Sequence, residues 1–296
     1  MRVSALGPST ALGAGGQLAG SSDRRDGDAR RSRLDQYGLS RGVRRGVGVS
    51  ADGPELLPGG FVNAVVRVDD TVRRPPSPSG GFVQDLLRFL GHRHWPGAPR
   101  HLGFDELGRE VLTFLAGHVA WEKAQPAEVR SDASLVAVAR LVRQLHDLTA
   151  GTDLAGDQEV VCHNDLSPKN TVYRDLGKGL RPVAFIDWDL AAPGARVHDV
   201  AHVCWQFVGL GPGMDVGEAA RLVRLIADAY GLRARGELIR TVLWWQDRCW
   251  RGIEAGAAAG EPAMVRLRAL GVVDEVRGAY RWTAEHHVAL ERADSR

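Results

Sequence analysis

Residues 160–189 constrain this chain more tightly than any other stretch. Three short runs, Val160–Cys162, Thr171–Tyr173 and Val183–Ile186, are too brief for helices and read as strands. Polar residues crowd around them: His163, Asn164, Asp165, Ser167, Lys169 and Asn170, then Asp187 and Asp189. Thr171–Arg174 and Pro182–Ile186 flank Asp175-Leu-Gly-Lys-Gly179, a turn-rich connection suited to an antiparallel hairpin. With Val172 opposite Phe185, Asn170 would face Asp187 at the open end, beside the loop carrying Asp165. An amide oxygen and a carboxylate would then converge. Such a sparse set of hard oxygens suits Mg²⁺, which keeps several waters and takes further ligands from phosphates.

The rest of the chain divides by pattern. Residues 1–50 hold nine Arg against four Asp, an excess of five positive charges in a chain whose net charge is +2, so the remainder is mildly acidic. This Gly-, Ser- and Arg-rich segment has no sustained apolar period and reads as disordered, with a basic arm for an acidic partner as the competing reading. Residues 51–115 read as a small β-rich unit. Phe61, Val62, Val65, Val66 and Val68 lead to Asp69-Asp70 and then Thr71-Val72-Arg73, a hairpin with a two-residue turn. A helix around Phe82–Leu90 presents Phe82, Leu86, Phe89 and Leu90, and a second hairpin pairs His101–Phe104 with Glu110–Leu115. Residues 116–296 turn mainly helical. Leu135, Val138, Val142 and Leu145 form one stripe, Asp215 and Glu218 have capping-box spacing, and Gly260 and Pro262 mark a break.

Composition closes off several classes of function. A mildly acidic body argues against general nucleic-acid binding. No apolar run approaches the roughly 20 residues that span a bilayer, and no apolar segment follows the N-terminal arginines as a secretory signal requires. Cys162, Cys204 and Cys249 are too few and scattered for a disulfide framework or a zinc site, and read as buried thiols of a reducing cytoplasm. His92 with His94, and His286 with His287, lack a third ligand.

Phosphoryl transfer requires a metal clamp on phosphate and a carboxylate aimed at the incoming hydroxyl, and kinases place the metal-binding Asn five residues after the catalytic Asp. Asp165 and Asn170 keep that spacing. The chain resembles the aminoglycoside phosphotransferase and choline kinase-like family through four pieces in order. These are Leu141-Val-Arg-Gln-Leu-His146, His163–Asn170, Ile186-Asp187-Trp188-Asp189 and Arg196-Val-His-Asp199-Val-Ala201. The resemblance implies an α+β, protein-kinase-like fold with a small β-rich N-lobe and a larger, mainly helical C-lobe. It implies Asp165 as the base that orients the acceptor hydroxyl, Asn170 and Asp187 as Mg²⁺ ligands, and His163 and Asp199 as braces of the loop. ATP and a small hydroxylated acceptor are the implied substrates. Asp189 reads equally as a further metal ligand or a helix-capping carboxylate.

The pattern departs from the family on the nucleotide side. The only lysines are Lys123, Lys169 and Lys178, so the phosphate-binding Lys of the third strand is missing. Arg73 or Arg74 is left to substitute, Arg73 being the choice because it follows Val72 as the family's Lys follows its apolar neighbour, with Gln84 in place of the helix Glu that normally pairs with it. Gly59 and Gly60 occupy the place of a nucleotide-covering loop, and the backbone of Thr113, Phe114 and Leu115 that of an adenine-binding hinge. The missing Lys and Glu also support a rival reading, a nucleotide- or ligand-binding pseudokinase acting as a resistance or immunity factor. Asp247 and Glu254 suit either a cationic substrate or solvent.

Overall fold

The first hairpin closes at Asp69–Asp70. In the computed structural model, which describes residues 55–56, 65–76, 80–122, 124–233 and 235–294, β2 (Val66–Val68) and β3 (Thr71–Arg74) pair with Val68 opposite Thr71. Asp69 has a φ of 53°, a left-handed conformation that short-chain Asp tolerates. The second hairpin, β4 (His101–Phe104) with β5 (Glu110–Thr113), also forms as expected. With β1 (Glu55–Leu56) they make one antiparallel sheet of order β1-β2-β3-β5-β4. Residues 1–50, Gly59 with Gly60, and Phe61 with Val62 lie outside the described residues.

Helix α1 (Gly80–His92) crosses between β3 and β4 and buries Val83, Leu86, Leu87 and Leu90 at i, i+3, i+4, i+7. The buried stripe is rotated from the expected one: Phe82 and Phe89 only flank it. Each of the four aliphatic side chains contributes about 1.5–3 kcal/mol by leaving water.

After β5 the chain enters other sheets. β6 (His118–Val119), β8 (Thr171–Asp175) and β9 (Leu180–Phe185) form a three-stranded antiparallel sheet. β7 (Val160–Cys162) pairs with β10 (Ala192–Gly194). Gly117 permits the entry to β6: its φ is 155°, and a Cβ there would stand 2.6 Å from the carbonyl oxygen of Tyr173. The helices are α2 (Asp132–Thr149), α3 (Arg196–Val208), α4 (Val216–Tyr230), α5 (Leu238–Ala258), α6 (Pro262–Ala269) and α7 (Val272–Asp294). Asp215 caps α4 by accepting from Glu218 N at 2.8 Å, but the reciprocal half of a capping box is absent because the Glu218 carboxylate pairs with Arg221. An additional break falls at Leu270-Gly271, where Gly271 has a φ of 80°.

The two sheet regions share one hydrophobic core. The α2 stripe Leu135, Val138, Val142 and Leu145 is buried in the same cluster as Val83, Leu112, Phe185 and Trp188. Trp95 meets Trp188 edge to face with ring centroids 6.3 Å apart and donates its indole N–H to Gln144. The Phe185 N–H donates to Gly97 O at 2.8 Å. The segment following α1 is thereby fixed to the strand that ends beside Asp187. Among the described residues no helix is long and apolar enough to cross a membrane.

Candidate active site

The loop after β7 is held from beneath by Asp199, in the first turn of α3 and fully buried. Its Oδ2 accepts the His163 N–H at 2.8 Å and its Oδ1 the Asn164 N–H at 2.9 Å. His146 Nε2, 3.1 Å from Oδ2, completes the set. His146 Nδ1 meets the Tyr230 hydroxyl at 2.8 Å. Burial alone would raise the Asp199 pKa, but the hydrogen bond with His146 and the loop N–H donor of Asn164 hold it below the usual carboxylate range. Asn164 has a φ of 63°, so the chain turns sharply just before Asp165.

His163 is buried, and desolvation lowers its pKa, which keeps the ring neutral. Its Nδ1 accepts the Asp165 N–H at 3.3 Å, so the proton resides on Nε2, 3.2 Å from Ile186 O. The ring packs on Trp188 at 4.5 Å between centroids. His202 holds the far side of the loop, with Nδ1 2.8 Å from Leu166 O.

Asp165 is half-buried, and Asn170 orients it. The Asn170 Nδ2 donates to Asp165 Oδ2 at 2.7 Å and to its carbonyl oxygen at 2.9 Å. The amide nitrogen is thus spent on Asp165, and Oδ1 is the atom that remains for a cation. The strand register differs from expectation by one residue. Thr171 faces Phe185 and Val172 faces Ala184, which places Asn170 beside Ile186, whose N–H donates to Asn170 O at 2.9 Å. A bulge near Tyr173 absorbs the extra residue. Asp187 therefore lies past the paired strand and turns with a φ of 65°. Its pKa is pushed up to about 6 by desolvation and then by the negative charges of Asp165 and Asp189. Because Asp187 still reaches solvent, the like-charge contribution is the part that a bound cation would reverse. Clustered carboxylates beside one amide oxygen are a donor set that fits Mg²⁺.

Arg73 is not the cation that faces this cluster. On β3, Arg74 shares the inward face with Val72, while Arg73 points the other way and meets Asp105 only at 3.8 Å. Arg74 is buried and donates from Nε to Glu110 Oε2 at 2.7 Å, its cross-strand partner on β5. Its Nη2 lies 2.8 Å from Asp189 Oδ1. Burial would lower the Arg74 pKa, but Asp189 and Glu110 raise it. Gln84 does not join them: its side chain lies against Gly80, one turn back on its own helix. Asp189 is not a helix cap either, since Ala195 precedes α3.

Other candidates are partly committed. The Thr113 N–H donates to Arg100 O and the Phe114 N–H to Asp70 O, which leaves Leu115 as the hinge donor to consider. The Phe114 ring lies 4.0 Å beneath Arg67. Lys169 is exposed, yet its charge opposes the rise at Asp187. Asp247 pairs with Arg251 at 2.9 Å and Glu254 with Arg277 at 2.8 Å, both at the protein surface. Sequence reasoning missed Glu110, Tyr230 and His202. The alternation of β3 carried a signal for Arg74, because Val72 marks the inward face.

A small antiparallel sheet with one helix, followed by a mainly helical region whose short hairpin carries an Asp–Asn–Asp cluster, is a protein-kinase-like fold. Residues 67–239 match the phosphotransferase enzyme family, and the chain belongs to it. It is 34% identical over 266 residues to the trifolitoxin immunity protein of Rhizobium leguminosarum bv. trifolii, spanning 80% of this chain and 97% of that one. Among solved structures it is similar to APH(2")-IIia in complex with GDP and kanamycin, at TM-score 0.53 and 16% identity over 77% of this chain and 94% of that one. A choline/ethanolamine kinase family protein from Mesorhizobium loti gives TM-score 0.53 and 17% identity, covering 83% and 94% of the two chains.

Proposed function

We propose that this protein transfers the γ-phosphate of ATP to a hydroxyl of a small molecule. The observation that carries the reading is the pairing of Asp165 with Asn170, 2.7 Å apart, beside Asp187. Asn170 fixes the Asp165 carboxylate, which accepts the proton of the acceptor hydroxyl as that oxygen attacks. Asn170 Oδ1 and Asp187 would hold Mg²⁺, which supplies neutralisation of charge on the phosphates. Arg74, rather than Arg73, is the strand cation for those phosphates, and the backbone near Leu115 takes the base. Since GDP occupies a neighbour of the same fold, GTP belongs beside ATP in any assay.

A second reading keeps nucleotide binding without turnover and makes the protein an immunity factor that sequesters its target. The immunity-protein relative favours it. A screen of hydroxylated antibiotics, metabolites and toxins for acceptor-stimulated ADP or GDP release separates the two. Turnover with one acceptor, lost in Asp165→Asn, supports transfer. Tight acceptor binding with no product at any nucleotide concentration supports sequestration.

A further inference from the structure

Arg74 has two carboxylate partners of different quality. Glu110 is fully buried, and its Oε2 accepts an aligned hydrogen bond from Nε. Asp189 keeps 27% side-chain exposure, yet its Oδ1 is itself buried and contacts Nη2 at 2.8 Å without an aligned hydrogen bond. A guanidinium carries its donors in a planar fork, so an acceptor on Nε leaves the two Nη groups as the edge for another ligand. Asp189 occupies part of that edge.

We propose that Glu110 is the positioning residue that aims Arg74 at the phosphates, and that Asp189 is an exchangeable counter-ion which Arg74 releases to phosphate rather than a metal ligand. This rests on the phosphotransferase reading. Glu110 has no route to solvent, and its neighbour His101, 3.6 Å away, is kept neutral by burial. Its charge is therefore answered by Arg74, and that pair is permanent. Asp189 differs because its buried Oδ1 meets Arg74 without an aligned hydrogen bond, while the rest of its side chain is part-exposed. A phosphate offers more charge and two acceptor oxygens to the same edge. The β3–β5 ladder places Arg74 opposite Glu110, so the aim of the cation is set by the sheet and not by the position of α1.

The test uses the full chain, titrated calorimetrically with Mg·ATP and, in EDTA, with sodium tripolyphosphate, with melting curves recorded for every variant. Glu110→Gln should weaken Mg·ATP binding about tenfold or more while Asp165-dependent turnover at saturating nucleotide falls less. Asp189→Asn, a near-isosteric change outside the hydrophobic core, should tighten tripolyphosphate binding about three- to tenfold by removing a competitor for Arg74. It should leave the Mg²⁺ concentration for half-maximal ATP binding unchanged. The proposal is overturned if Asp189→Asn raises that Mg²⁺ requirement, or if folded Glu110→Gln binds Mg·ATP as the parent does. Absence of tripolyphosphate binding by both parent and Asp189→Asn overturns it as well. If tripolyphosphate responds as stated but Mg·ATP binds no form, the phosphotransferase reading fails while the assignment of Arg74, Glu110 and Asp189 stands.

Discussion

The two sides of the candidate site are anchored by different chemistry. On the loop side, Asp199 accepts two backbone N–H groups and faces His146, while His163 and His202 fix backbone carbonyls and Asn170 fixes Asp165. On the strand side, one guanidinium is held between two carboxylates, Glu110 and Asp189. The first arrangement ties side chains to the main chain and gives the loop one geometry. The second ties charge to charge, and only its Glu110 contact is an aligned hydrogen bond. The proposed transfer would need an immobile base and a responsive phosphate ligand, and this difference suits that division of labour.

The largest effect is expected on the loop side. Asp165→Asn removes the proton acceptor but preserves shape and the contact to Asn170. Turnover with any true acceptor should fall by about 10²–10⁴-fold, read as acceptor-dependent nucleoside diphosphate release, with an unchanged melting temperature. Turnover that survives this change would break the assignment of the base and, with it, the contrast between the two sides.

Asp199→Ala tests the anchor beneath the loop. It strips the partner from the buried His163 N–H and His146 and from the part-buried Asn164 N–H, and should destabilise the fold by about 3–5 kcal/mol in urea titration. The pH dependence has a definite sign. The folded-state pKa of Asp199 is lowered, so its contribution is present above the ordinary carboxylate pKa and is lost as pH falls through that value toward the folded one. The parent should therefore lose more stability on acidification than Asp199→Asn does. Parallel acid titrations of the two would contradict this account.

Much of the loop side was legible in the sequence because its signals are local. The spacing of Asp165 and Asn170, the turn at Asp175–Gly179 and the strand preceding Asp187 lie within a few residues of one another. Asp175 Oδ1 accepts the Gly177 and Gly179 N–H groups, as such a turn suggests. The register was off by one because a bulge leaves no composition signal. The left-handed Asp187 instead brings its carboxylate to the cluster from beyond the strand. The strand side was less legible because Arg74 meets Glu110 across 36 residues. The family pattern drew attention to Arg73 and to a helix partner at Gln84, while the alternation Val72–Arg74 pointed inward.

Arg74→Ala leaves Glu110 buried without its cation and should cost about 3–5 kcal/mol of stability in thermal or urea melts. Nucleotide affinity should fall in the same variant. Arg74→Lys keeps the charge but loses the planar fork that serves Glu110 and a second ligand together, so it should recover stability more fully than nucleotide binding. Equal recovery of both would mean that Arg74 is a structural cation only.

Arg73→Ala carries the smallest expected effect and gives the sharpest check on which face of β3 matters. Arg73 reaches Asp105 at 3.8 Å, and Asp105 is already engaged by Arg109 through an aligned bond at 2.8 Å. Losing Arg73 therefore leaves no carboxylate without a partner. The change in stability should stay within about 1 kcal/mol, and Mg·ATP affinity should be unaltered. A marked fall in affinity here, with Arg74→Ala binding normally, would turn the strand over and return the phosphate role to the outward arginine. The alternation of side chains along β3 makes the two outcomes mutually exclusive, because adjacent residues of one strand cannot present both guanidinium groups to the same face.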